Sequence, residues 1–340
     1  MLLKEFYYNM FTKGYILAFN LENTLVIGIS ATALFNLSEA DALFREEYEK
    51  HPDNAIEIYR DYMLQHEDEA LDKGIGFAFI KALLDLNRYQ KKGDAPLVEV
   101  VVMSRNSPDT GVRVLNTIRK LNLNITRSAF TAGESSADYI EAFGVDLFLT
   151  TDEKDAQKVI DSLVCAAAVL STPPEYKCDI EDGQVRIAFD GDAVLFDESS
   201  ELVYKEKGIE AFHQSENESQ NIPMLEGPFA IFLKKLAALQ HRLPMRIEYS
   251  PVRIAIVTAR NAPADLRVIK TLRHWGVYVD EAFFLGGIEK SKILESFKAH
   301  IFFDDQDVHL KTSSLVVPSG KVLYSSNSPL NKTTRQTVTD

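Results

Sequence analysis

The chain has 340 residues, enough for two average domains or one large α/β unit. Hydrophobic residues make up 46% and charged residues 26%, an ordinary globular balance, and the longest apolar runs, such as Val164 to Leu170, are too short to cross a bilayer. A formal net charge of −13 argues against a nucleic-acid polymer as partner, and it obliges any anionic ligand to find a local cation, a lysine or helix N-termini.

Met1 to Tyr15 mixes Lys4, Glu5 and Lys13 with aromatics and has no uninterrupted apolar core, so no signal peptide is expected. One pattern then occurs twice. Leu25–Phe35 (LVIGISATALF) resembles Arg186–Phe196 (RIAFDGDAVLF), with Ser30 opposite Asp190 and Thr32 opposite Asp192. Gly74–Leu86 matches Gly227–Leu239, Val101–Gly133 matches Ala255–Gly286, and Asp146–Asp152 matches His300–Gln306, all in the same order. Each half reads as strand, helical insert, helix, strand, helix, strand. The strands are Val26–Ile29, Val98–Met103 and Asp146–Leu149, then Val185–Phe189, Val252–Val257 and Ile301–Phe303. Near-continuous apolar strands between helices predict a parallel sheet covered on both faces. In Asp265–Trp275, Leu266, Ile269 and Leu272 alternate with Arg267, Lys270 and Arg273, the pattern of a helix lying on a sheet.

A helix is predicted over Glu153–Leu170, stopped by Pro173-Pro174. The resulting division is a first domain over 15–170, a linker over 171–180, a second domain over 181–317 and a polar C-terminal tail over 318–340, expected to be loose over Asn327–Asp340. Asn36–Lys73 and the 197–226 insert are expected to cap the two crevices. Cys165 and Cys178 are expected as reduced thiols, Cys165 on a helix.

Four segments of the second half stand at predicted strand ends, where open parallel sheets bind ligands. In Phe189-Asp190-Gly191-Asp192, Gly191 lets the backbone turn so that both carboxylates enter one pocket. Asp190 suits a nucleophile on phosphorus, and Asp192 a general acid and base. In Val257-Thr258-Ala259-Arg260, the Thr258 hydroxyl and the following N–H groups suit phosphoryl oxygens. Arg260 either reaches the substrate or pairs with carboxylates. Lys290, after Gly286-Gly287, suits neutralisation of phosphate and nucleophile, with Lys292 as the alternative. Asp304-Asp305 after an apolar strand suit a hard cation, Mg²⁺, with Asp190 and the main-chain carbonyl of Asp192 completing its ligands. Phe212, His213 and Tyr204 are candidates to stack on a base, and His309 to support the acidic pair.

In order and placement these segments match the haloacid-dehalogenase-like phosphohydrolases. A-F-D-G-D-A-V-L-F, V-T-A-R, T-L-R-x-W-G, E-A-F-F-L-G-G and H-I-F-F-D-D-Q look like the cytosolic type I 5′-nucleotidases, as do Gly28–Phe35 and Gln65-His66-Glu67-Asp68-Glu69 of the first half. The resemblance spans Leu25 to Val317. It implies two tandem Rossmann-like α/β modules with small caps, a cytoplasmic setting without membrane attachment, and Mg²⁺-dependent hydrolysis of AMP-like nucleoside 5′-monophosphates through an aspartyl-phosphate. A homo-oligomer is compatible with it. The alternatives are another phosphomonoesterase, a nucleoside phosphotransferase, or a non-catalytic nucleotide sensor.

The first half lacks this chemistry. Ser30 and Thr32 replace Asp190 and Asp192, Met103 replaces Thr258, no lysine lies between Gly133 and Glu153, and Thr150 and Thr151 replace Asp304 and Asp305. It is expected to form no phospho-enzyme and to serve as structure and as a wall of the substrate pocket. Binding of a regulatory nucleotide near Ser104-Arg105-Asn106 and Gly133 is the minor alternative.

Overall fold

The computed structural model describes residues 21–171, 183–244 and 250–331. The expected Pro173-Pro174 linker, Cys178, the Met1–Tyr15 stretch and the end of the expected tail lie outside the described residues. In chain order the strands are β1 (Leu25–Ser30), β2 (Phe35–Asn36), β3 (Asp72–Lys73), β4 (Val98–Ser104), β5 (Arg127–Phe130), β6 (Leu147–Thr150), β7 (Ala166–Ser171), β8 (Val185–Phe189), β9 (Val252–Thr258), β10 (Glu281–Phe284), β11 (Ile301–Asp304) and β12 (Ser319–Lys321).

Ten of them form one sheet in the order β10-β9-β8-β11-β12-β7-β6-β1-β4-β5. Its strands are apolar because helices cover both faces. β4 and β8 are buried at every position, as parallel sheets require. All pairings in it are parallel except β12 with β7, where Ser319 faces Ser171 and Lys321 faces Val169. On either side of that antiparallel seam the strands follow the same plan, β7-β6-β1-β4-β5 and β12-β11-β8-β9-β10. The seam reverses strand direction, so the carboxyl ends of the two halves open on opposite edges of the sheet.

Two stretches differ from their predicted form. The helix expected over Glu153–Leu170 ends at Ser162, Leu163 turns left-handed with φ 56°, and Ala166–Ser171 is β7 rather than helix. Alanine favours helix locally, but pairing with β6 and β12 outweighs a preference of a few tenths of a kcal/mol per residue. Cys165 therefore leads into a strand, and burial pushes its thiol up to about 12. Downstream, Ser319–Lys321 of the expected C-terminal tail is β12, inside the sheet. Small residues are needed at this seam: a Cβ at Gly320 would lie 2.8 Å from the Phe303 ring and 3.0 Å from Ala168. The short, half-buried edge strands β5 and β10 add to the predicted strand set.

The insert of the first half carries the helices Ser38–Lys50 and Ala55–Gln65 and is closed at its stem by β2 against β3. The second insert carries the helix Ser199–Glu218, interrupted at Gly208 with φ 81°, and its stem is a bridge between Phe196 and Glu226. One apolar cluster runs through both halves, from Ile27 and Val100 to Phe189 and Phe303. Beneath the second crevice, the Phe189 and Phe303 rings stack with centroids 5.6 Å apart.

Candidate active site

At the carboxyl edge of the second half, β8 delivers Asp190, β9 delivers Thr258 and β11 delivers Asp304 and Asp305. The Asp190 N–H donates to the Phe303 carbonyl at 2.8 Å, which fixes the end of β8 beside the acidic pair. Gly191 then turns the chain. A Cβ there would lie 3.3 Å from Thr258 Oγ1 and 3.4 Å from the Phe196 ring, so the absence of a side chain lets β8 and β9 close on each other. The backbone continues through Asp192 and a left-handed Ala193, φ 56°.

Lys290, which precedes the helix Ser291–Phe297, is almost fully buried, with Nζ 2.9 Å from Asp190 Oδ1 and 2.6 Å from Asp304 Oδ2. Asp190, Asp304 and Asp305 each bring a carboxylate oxygen within 4.8 Å of one another. Asp304 is also held by the Gln306 N–H at 2.8 Å, and Asp305 Oδ2 accepts from the Tyr324 hydroxyl. Asp305 Oδ1 is buried without a hydrogen-bond partner. An orphaned carboxylate oxygen among three clustered carboxylates suits a hard divalent cation that takes oxygen ligands. These residues fit a metal of the Mg²⁺ class.

The protonation balance follows from that crowding. Burial pushes Asp190 up to about 6; Asp304 and Asp192 add to the rise, and Lys290 opposes it. Asp304 and Asp305 are raised mainly by burial, Asp305 well above the usual carboxylate range. Burial acts to lower Lys290, but Asp190 and Asp304 outweigh it and leave the ammonium raised and charged. A cation would relieve the repulsion among the carboxylates.

The Asp192 carboxylate, close enough to Asp190 to act on it electrostatically, is paired separately. Arg260 grips it with Nε to Oδ2 at 2.7 Å and Nη2 to Oδ1 at 2.6 Å, a bidentate pair. Arg260 Nη1 donates to Glu216 Oε2 at 2.5 Å, and Glu216 also receives Arg267 at 2.8 Å and the Ser200 hydroxyl at 2.8 Å. Glu216 lies on the insert helix, so this buried network fastens the insert to Asp192.

A family model described as 5′-nucleotidase matches residues 17–329. The chain belongs to the 5′-nucleotidase family. It is 35% identical over 297 residues to human "Cytosolic 5′-nucleotidase 1B", a match covering 85% of this chain and 47% of that protein, so the chain spans about half the length of that curated relative. A solved structure described as "Structure of Pnkp1/Rnl/Hen1 complex" aligns over 89% of this chain and 97% of its own at 14% identity and a TM-score of 0.31.

Within this member of the family, the structure brings together Asp190, Gly191, Thr258, Lys290, Asp304 and Asp305 of the residues named from the sequence. Lys292 is exposed, so Lys290 is the lysine of the site. The Arg260 side chain is spent on Asp192 and Glu216, while its N–H donates to Thr258 Oγ1 at 3.3 Å. Ala259 is exposed at the lip. The carboxylate of Asp192 lies outside the three-carboxylate group. Phe212 packs beneath the Arg260 guanidinium at 5.2 Å, His213 Nε2 lies 3.0 Å from Asn261 Oδ1, and Tyr204 is exposed. His309 is half-buried, and burial, with Lys290 adding, lowers its pKa. Glu216, Glu201 and Tyr324 were missed. Glu201 receives Gln306 Nε2 at 3.3 Å and Lys205 at 3.2 Å. A lone Glu on a helix and a Tyr in a stretch read as tail carry no local signal. Among the described residues no helix is long and apolar enough to cross a membrane.

Proposed function

We propose that this chain hydrolyses nucleoside 5′-monophosphates to nucleoside and orthophosphate in the cytoplasm, through a phosphoryl group carried transiently on Asp190. One observation carries the reading: Asp190, Lys290, Asp304 and Asp305 form one buried cluster, and Asp305 keeps an oxygen with no hydrogen-bond partner. Membership of the 5′-nucleotidase family supports the substrate class.

In this reading an Asp190 oxygen attacks phosphorus as the ester 5′-oxygen departs and takes a proton from Asp192. Asp192, now ionised, removes a proton from water, which attacks the same phosphorus. The Asp190–phosphorus bond breaks, phosphate leaves and Asp190 is an ionised carboxylate again. Lys290 offsets the charge of Asp190 and of the phosphoryl oxygens. Thr258, with the main chain at Gly191 and Ala259, holds oxygens that stay on phosphorus. Asp190, Asp304, Asp305 and the main-chain carbonyl of Asp192 would hold Mg²⁺, which when bound polarises the phosphoryl group and cancels repulsion among the carboxylates. The two five-strand halves are read as tandem haloacid-dehalogenase-like modules, the first over 15–170 and the second from 181 through β12, past its expected bound at 317, and the first is read as having lost its chemistry.

Phosphate release from a panel of nucleoside monophosphates and sugar phosphates, with and without Mg²⁺, tests this. Release from the nucleotides should need Mg²⁺, and Asp190→Asn should reduce it to the uncatalysed rate with a melting temperature no lower than the wild type's. Normal turnover in Asp190→Asn would remove the proposed nucleophile.

A further inference from the structure

The first half ends its strands in a crevice of its own, on the sheet edge opposite the acidic site. It is a cavity of about 450 Å³, within the usual range of small-molecule sites. Its floor is a chain of hydroxyls. Ser30 Oγ lies 3.1 Å from Thr32 Oγ1, which lies 2.7 Å from Thr151 Oγ1. These stand at the sequence positions that hold Asp190, Asp192 and Asp305 in the other half. A hydroxyl both donates and accepts, so such a floor serves ligand hydroxyls in either sense. Beside it, the Ser104 hydroxyl donates to Asn106 Oδ1 at 3.2 Å, and Asn106 Nδ2 donates to the Tyr59 hydroxyl at 3.2 Å.

One wall is aromatic. Phe44, on the helix Ser38–Lys50, lines the cavity and is steadied edge-on by Tyr59 with centroids 5.7 Å apart. Part of the charge is already engaged. Arg105 is gripped by Asp155 at 2.6 and 3.1 Å, and Arg45 Nε donates to the Asp41 carbonyl at 3.2 Å. Among the described residues the lining holds the carboxylates of Asp41, Asp152 and Asp155 against the guanidinium groups of Arg45 and Arg105, and no lysine. A phosphate dianion would meet a net negative wall. An uncharged ring bearing hydroxyls meets matching partners.

We propose that this crevice binds an uncharged nucleoside, its ribose hydroxyls joining the Ser30–Thr32–Thr151 chain and its base lying against Phe44. The proposal stands on the lining of the first half and does not need turnover at Asp190. The probe is labelled adenosine in equilibrium dialysis against the full chain carrying Asp190→Asn, with AMP as the competing arm. Adding Thr32→Val and Thr151→Val, which keep shape and remove hydroxyls, should weaken a saturable adenosine component at least about tenfold. In an otherwise native chain the same two changes should leave phosphate release from AMP unaltered. Equal adenosine binding with and without the two changes overturns the proposal, as does a lost component that prefers AMP to adenosine. Should the double variant fail to fold, hydrogen exchange on the unaltered chain decides: adenosine must slow exchange at 103–106 and 150–152, and no protection there overturns the assignment. Failure of the phosphohydrolase reading would show only in phosphate release, leaving the dialysis result intact.

Discussion

At the scale of single residues, two groups carry most of what can be tested. Arg260 presents a planar fork to Asp192, which holds the carboxylate in one orientation. Arg260→Met should lower kcat by about 100-fold, the usual worth of a positioned general acid. Arg260→Lys should recover only part of this, because a point charge cannot reproduce two parallel bonds. An unchanged kcat in Arg260→Met would show that Asp192 needs no such guide. Asp190 gives a pH dependence. Its folded pKa lies above the ordinary carboxylate value, about 6 against 3.8, chiefly through burial. The metal-free native state then holds more protons than the unfolded chain in this window. The contribution of Asp190 to stability is full below about pH 4 and is lost as pH rises through about 6. In calorimetry without metal, the melting temperature of Asp190→Asn should therefore gain on that of the wild type between about pH 4 and about pH 7, and Mg²⁺ should shrink the gain. A difference that does not change with pH would contradict the assigned shift.

At the scale of elements, the stem of the second insert governs how the crevice is covered. Phe196 bridges Glu226, and the Gly227 N–H donates to the Leu195 carbonyl at 2.9 Å. A Cβ at Gly227 would lie 2.3 Å from the Phe196 carbonyl oxygen, a clash with backbone that no side-chain rotation relieves. Gly227→Ala should cost about 1–3 kcal/mol of stability, as overpacking does. It should also lower activity, since the Asp192 turn and the insert helix share this stem. Denaturant unfolding measures the first effect and phosphate release the second. An Ala variant as stable and active as the parent would mean that the stem carries no strain.

At the scale of the molecule, the antiparallel pairing of β7 with β12 makes one sheet of two similar halves, and a single apolar cluster crosses between them. Lys235 on the second half also reaches Asp146 on the first at 2.7 Å. Such continuity predicts one cooperative unfolding transition, with calorimetric and van't Hoff enthalpies equal. Two separated transitions would show the halves to be independent. Because the seam reverses strand direction, the two strand-end crevices face opposite edges, and the amino-terminal ends of the first half's strands, not its own crevice, lie on the edge that carries the acidic cluster.

How much of this was legible differs by kind of residue. Ser30, Asp190, Thr258 and Asp304 end or directly follow apolar strands, and strand ends are visible in a one-dimensional pattern because burial on both sheet faces demands unbroken apolar runs. The strand-end placement of the acidic residues of the second half and of the hydroxyls of the first was therefore readable, as was the mostly parallel α/β sheet. The form of Ala166–Ser171 and Ser319–Lys321 was not, because neither is a strand by its own preference: each becomes one only where the other supplies a partner. Nor was the engagement of Arg260 with Asp192 and Glu216, since residues distant in sequence meet there only through the folding of the insert. Sequence by itself determined which groups stand at the strand ends. Tertiary structure alone decided which edge each crevice faces and which charges pair, because both depend on how the two halves join.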